Sequence, residues 1–105
     1  MRRGDVYRLR LRRRTGHEQR GARYGVVVQS DALLRLSTVL VAPTSTSARP
    51  ATFRPEIDID GTTTRVLVEQ VGSVDVSRLG ELVGHLMPEE RWGVDLALAV
   101  VLDLQ

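Results

Sequence analysis

Residues 16 to 31 hold the groups best suited to chemistry: Gly16-His17-Glu18-Gln19-Arg20-Gly21-Ala22-Arg23-Tyr24-Gly25-Val26-Val27-Val28-Gln29-Ser30-Asp31. The Glu18 carboxylate or the His17 imidazole can take a proton, and imidazole has the better matched pKa for that work. The Arg23 guanidinium can hold an anion through two hydrogen bonds at once. A polar, glycine-bearing loop runs into this arginine and then into an apolar strand. That order sets acid and guanidinium at a strand entrance, where they can meet in a cleft. Pro43-Thr44-Ser45 adds hydroxyls further on. Each residue also has a plainer use. Arg23 can be a solvated surface charge, Glu18 a salt-bridge partner for the arginines of its own loop, and Thr44 a hydroxyl tying down the turn after Pro43. His85 stands apart from the others and reads as structural.

The elements that must position these groups follow from hydrophobic period. Val6 to Leu11 alternates, with Tyr7, Leu9 and Leu11 on one face and Arg8, Arg10 and Arg12 on the other, as in a half-buried strand. Residues 12–21 form a polar loop, longer than a usual hairpin turn. Tyr24 to Gln29 is a β-branched run with little alternation, expected of a central strand buried on both faces. Ser30 to Ser37 is a connection. Thr38 to Ala42 reads as a third strand stopped by Pro43, followed by a hydroxyl-rich loop from Thr44 to Pro50. Thr52 to Ile59 reads as a fourth strand, with Pro55 marking an edge or bulge. Asp60-Gly61 is a turn signal, and Thr64 to Val71 a fifth strand.

Val76 to Leu86 is ambiguous. Leu79, Leu82, Val83 and Leu86 fit helical spacing, but Gly80 and Gly84 each weaken a helix by about 1 kcal/mol relative to alanine. Pro88, Glu89 and Glu90 mark a helix start, with Met87 a poor cap. The helix is predicted to reach about Leu102, with Leu96, Ala99 and Val100 as its apolar stripe, extended by Trp92 and widened by Leu98, Val101 and Leu102. Five strands with short links and one terminal helix predict a small, mostly antiparallel barrel.

The chain of 105 residues is sized for a single domain, and dimerisation would add to the stability of so small a core. It lacks cysteine, which excludes disulfides and thiolate metal sites. Its sequence holds no apolar run of membrane-spanning length and no signal-peptide pattern, so the expected setting is the cytoplasm. Residues 1–23 carry nine arginines against Asp5 and Glu18, a net charge of +7. Residues 24–105 carry six arginines against eleven acids, a net of −5. A basic segment on an acidic body suits a polyanion, although a solvated basic start would have the same composition. The basic residues are all arginine, a bias that runs through the whole chain and reads mostly as genomic composition.

Several motifs then fall in one order. Arg3-Gly4-Asp5-Val6-Tyr7 is followed by Gly16-His17-Glu18-Gln19-Arg20-Gly21-Ala22-Arg23 and by the valine strand ending Gln29-Ser30-Asp31. Next come Ala42-Pro43-Thr44-Ser45, Val68-Glu69-Gln70-Val71 with Val74-Asp75 and Arg78-Leu79, and Leu86-Met87-Pro88-Glu89-Glu90. This ordered set, from about residue 2 to 104, resembles the MazF/PemK family of toxin endoribonucleases. The resemblance implies an SH3-like small antiparallel barrel with a C-terminal helix, working as a homodimer, and makes residues 80–86 a strand. It implies metal-independent cleavage of single-stranded RNA, without a cofactor, leaving a 2′,3′-cyclic phosphate and a 5′-hydroxyl. It also implies a bacterial toxin–antitoxin system, in which an acidic, partly disordered antitoxin fills the RNA cleft. The +7 segment would attract such a partner.

That reaction needs a base for the 2′-hydroxyl, a cation for the phosphoryl oxygens and a donor for the leaving oxygen. By the resemblance, Arg23 and Thr44 match catalytic positions of the family, and Glu18 is the candidate base with His17 as its rival. Arg14, Gln19, Arg20, Tyr24, Ser45 and Gln70 are candidate RNA contacts. The family usually has proline after its catalytic arginine. Tyr24 stands there in this chain and offers a stacking face for a base. Two other readings share the barrel: a nucleic-acid-binding module without catalysis, and a gyrase poison of the CcdB type. The latter family ends in a Trp-Gly-Ile tail, whereas Trp92-Gly93-Val94 here lies within the predicted helix and the chain ends Leu104-Gln105.

Overall fold

The computed structural model describes residues 1–10 and 23–104. Among these, seven strands curl into an antiparallel half-barrel closed on one side by a C-terminal helix. The strands are β1 (Asp5–Leu9), β2 (Tyr24–Val27), β3 (Thr38–Ser45), β4 (Glu56–Ile59), β5 (Thr62–Val66), β6 (Gly72–Asp75) and β7 (Leu79–His85); the helix is α1 (Pro88–Val101). They are ordered β4-β5-β3-β2-β1-β7, with β6 also paired to β3.

The valine run of β2 explains its central place. Val26 and Val28 enter one buried cluster with Val6, Ala42, Ile57, Val66, Leu86, Val94 and Ala97. Val27 enters a second cluster with Val39, Val41 and Leu79 on the other face. A strand with apolar neighbours on both faces has no polar face to show, so alternation is lost. In β1 the alternation holds: Tyr7 and Leu9 pack on the second cluster while Arg8 and Arg10 are exposed. Leu11 and Arg12 lie outside the described residues.

Strand β3 departs from expectation. It runs through Pro43 to Ser45 instead of stopping at Ala42. Val41 is opposite Gly72 of β6, whereas Thr44 is opposite Val66 of β5. Pro43 stands where β3 changes partner, a place where a missing N–H does little harm. Its carbonyl still accepts from the Leu67 N–H at 2.8 Å. Strand β4 begins only after Pro55, and it is an edge strand, as a proline there suggests. Ile59 pairs with Thr62 across Asp60 and Gly61, whose φ values of 50° and 81° make the predicted tight hairpin turn.

The predicted fifth strand is shorter than expected. It ends at Val66, and Val68–Gln70 form a 3-10 turn. Strand β6 has no counterpart among the five expected strands, because Gly72-Ser73-Val74-Asp75 is too short to show a period. Residues 79–85 form a strand, as the family resemblance implies and against their helical spacing. A Cβ on Gly80 would stand 3.0 Å from the Arg8 carbonyl oxygen, so the close approach of β1 and β7 calls for glycine.

Helix α1 starts at Pro88 as predicted. The Glu90 carboxylate accepts the Met87 backbone N–H and, from β4, the Asp58 N–H, each at 2.8 Å. It therefore ties the helix start to the edge strand, and Met87 needs no capping side chain of its own. Glu90→Ala is expected to cost about 1–2 kcal/mol in urea unfolding, and Glu90→Gln to keep part of that. The helix turns a different stripe inward from the predicted one. Val94 and Ala97 are buried and Leu98 and Val101 pack beside them, whereas Trp92, Leu96 and Val100 are exposed. Both stripes have helical spacing in this largely apolar segment, and periodicity alone does not choose between them.

Candidate active site

The ends of β2, β3 and β5 enclose a cleft of about 440 Å³, lined by Arg23, Tyr24, Thr44, Ser45, Thr46, Ser47, Ile59, Asp60, Thr62 and Thr64. Arg23 immediately precedes β2, and its carbonyl accepts the Leu9 N–H at 2.8 Å, so the β1–β2 ladder fixes its backbone. Thr44 sits on β3 beside the partner switch and is 7% exposed. Its place in a strand replaces the loop role considered above. Ser45 follows it on the strand, and its Oγ accepts the Ser47 N–H at 3.2 Å.

Tyr24 opens β2 directly opposite Arg8, whose guanidinium lies over the tyrosine ring at 5.4 Å from its centre. The charged group braces a ring that also borders the cleft. The site thus combines one guanidinium, an aromatic ring and several hydroxyls, with Asp60 as the acid in its lining. Among the described residues no carboxylate forms an ion pair with Arg23. Such a lining can bind an anionic, hydrogen-bonding ligand.

Of the residues singled out from sequence, Arg23, Tyr24, Thr44 and Ser45 come together here. Gln70 is not among the lining residues: it ends the 3-10 turn after β5 and is exposed. Arg14, His17, Glu18, Gln19 and Arg20 lie outside the described residues. Asp60, Thr62 and Thr64 line the cleft as well, although from sequence Asp60 reads only as part of a turn and Thr64 only as the start of a strand. Thr62, Thr64 and Val66 share one face of β5, and it is the pairing of Val66 with Thr44 that brings that face to the cleft.

His85 is structural in this arrangement. Its Nδ1 lies 2.7 Å from Asp5 Oδ1, on the β1–β7 side of the sheet. Among the described residues no group of three or more His, Cys, Asp or Glu side chains is placed to hold a metal ion. No described helix is long and apolar enough to cross a membrane.

Comparison with known proteins gives consistent matches. The family model for PemK-like, MazF-like toxins of type II toxin–antitoxin systems matches residues 2–102. A candidate toxin of Mycobacterium tuberculosis, Rv3098A, is 44% identical over 104 residues, covering 97% of each chain. Endoribonuclease EndoA of Bacillus subtilis is 33% identical over 111 residues, covering 99% of this chain and 96% of its own. A mycobacterial endoribonuclease solved in complex with its cognate antitoxin superposes with a TM-score of 0.82 at 23% identity, covering 100% of this chain and 97% of that one.

Proposed function

Because the chain belongs to the PemK-like, MazF-like toxins of type II toxin–antitoxin systems, we propose that it is an endoribonuclease that cuts single-stranded RNA by attack of the 2′-hydroxyl on the adjoining phosphate. The observation that carries this reading is the meeting of Arg23 and Thr44 in one hydroxyl-lined cleft. The guanidinium stabilises charge that builds on the phosphoryl oxygens. The Thr44 hydroxyl bonds a phosphoryl oxygen or orients the attacking group. Glu18, with His17 as the rival base, takes the 2′-hydroxyl proton; as the new O–P bond forms, the bond to the 5′-oxygen breaks, and that oxygen leaves as a hydroxyl with a proton from the protonated base or from water. Ser45 and Tyr24 hold the flanking nucleotides. Arg14, Gln19, Arg20 and Gln70 add contacts along the RNA. The need for a 2′-hydroxyl confines the substrate to RNA, and unpaired strands leave their bases free to be read.

The partners follow from the same reading. An acidic antitoxin occupies the cleft and the basic N-terminal segment. The protein pairs as a homodimer, for which the outward stripe of Trp92, Leu96 and Val100 supplies apolar surface. It works in the cytoplasm, where its substrate and antitoxin are made.

The decisive test incubates purified protein with a long unpaired RNA in excess EDTA and reads the ends by mass spectrometry. Site-specific cuts with cyclic phosphate ends are expected. Thr44→Val, which keeps the buried shape, is expected to slow cutting about a hundredfold. RNA binding with no cutting at any protein concentration would overturn catalysis in favour of a binding module.

A further inference from the structure

One cleft residue carries an anomaly. Thr64 is 4% exposed, and its Oγ1 is sealed from water with no hydrogen-bond partner among the described residues. A buried hydroxyl left unpaired is destabilising, and valine would fill nearly the same volume without that penalty. Groups of this kind call for an explanation, and their place in the fold supplies one here. Glu69 Oε1 is unpaired as well, but its carboxylate is held through Oε2 by Arg54 and lies outside the cleft lining. Thr64 lies in that lining together with Arg23 and Thr44.

Position narrows the role. Thr44 is opposite Val66, and Thr64 is two residues along β5 from Val66, on the same face. That separation is roughly 7 Å at strand spacing. That spacing suits two hydroxyls bonded to neighbouring groups of one substrate, Thr44 at the phosphate and Thr64 at the adjoining nucleotide. A hydroxyl both donates and accepts, which suits the mixed groups on a nucleobase edge.

We propose that the Thr64 hydroxyl hydrogen-bonds a base edge of the nucleotide beside the scissile phosphate, which makes Thr64 a specificity-determining residue of the cleft. The proposal rests on the ribonuclease reading above. The Thr64 Oγ1 is shielded in the free protein, so a turn about χ1 must bring the hydroxyl to the cleft as substrate enters, where the base edge supplies the missing partner. Holding such a group ready lowers stability in exchange for selectivity.

The test compares wild type, Thr64→Val and Thr64→Ser. Cut sites on a long RNA are mapped by end sequencing, kcat and KM are measured on the preferred oligonucleotide, and Tm is recorded for each protein. Thr64→Val is expected to melt no lower than wild type, to lose selectivity at one position flanking the cut, and to raise KM about five- to tenfold. Thr64→Ser is expected to retain the preference. Unchanged sites and KM in a folded Thr64→Val protein would overturn the proposal, as would equal loss in both variants, which would indicate shape alone. Failure of wild type itself to cut any RNA is a separate outcome, and would remove the ribonuclease reading together with this proposal.

Discussion

Arg23→Ala is expected to cut RNA about a thousandfold more slowly than wild type while keeping its melting temperature. The loss is that of a preorganised cation aimed at charge that grows during the reaction, an effect typically of 10²–10³ or more. The fold is spared because the part of Arg23 that the sheet uses is its carbonyl, bonded to the Leu9 N–H. Arg23→Lys should recover only a fraction of the rate, since an ammonium lacks the planar fork that grips two phosphoryl oxygens together. Single-turnover cleavage beside thermal unfolding makes the measurement. A rate within tenfold of wild type in Arg23→Ala would move the catalytic burden to groups elsewhere in the cleft.

Asp5 carries the largest expected effect on stability. It is 5% exposed, accepts the Arg2 N–H at 2.8 Å and lies 2.7 Å from His85 Nδ1, which must be the donor toward an ionised carboxylate. Asp5→Ala removes both bonds from a site that joins the start of β1 to the end of β7. A cost of about 2–3 kcal/mol is expected, or roughly 10–20 °C in Tm for a domain of this size. Burial alone would raise the Asp5 pKa, but the hydrogen bond from His85 and the Arg2 N–H hold it below the usual aspartate value of 3.8. A depressed folded-state pKa means that the contribution is complete above the unfolded value and is lost as pH falls through the folded one. The Tm gap between wild type and variant should therefore be full at neutral pH and narrow below about pH 4. A gap that does not change with pH would show that the carboxylate's charge has no part in it.

Local signals with a single physical meaning were legible from sequence. The valine run of β2 implied burial on both faces, Asp60-Gly61 implied the hairpin, and Pro88 with two glutamates implied the helix start; all three stand as read. Misreadings arose where a local signal had two solutions and the rest of the chain chose between them. Pro43 stops a strand in most settings, yet here it occupies a change of partner that only β5 and β6 together create. The helix carries two apolar stripes, and the attachment of Glu90 to β4 goes with the one that packs. For residues 79–85 the helical period was a coincidence of leucine spacing, and the approach of Gly80 to the Arg8 carbonyl belongs to a strand. Within the site, Arg23 and Thr44 stood out by residue type and motif. Thr64 did not, because its meaning depends on which strand lies opposite β5.

The pairing of β1 with β7 also sets a schedule. Asp5 is opposite His85, and these residues are separated by most of the chain. A ribosome adding about 5–20 residues per second needs roughly 4 to 16 seconds to travel from one to the other. For most of that interval, once Tyr24–Val27 have been added, the nascent β1 has β2 to pair with on one edge and still lacks β7 on the other. The second edge closes only once β7 has been made, so completion of this fold is timed by its own synthesis.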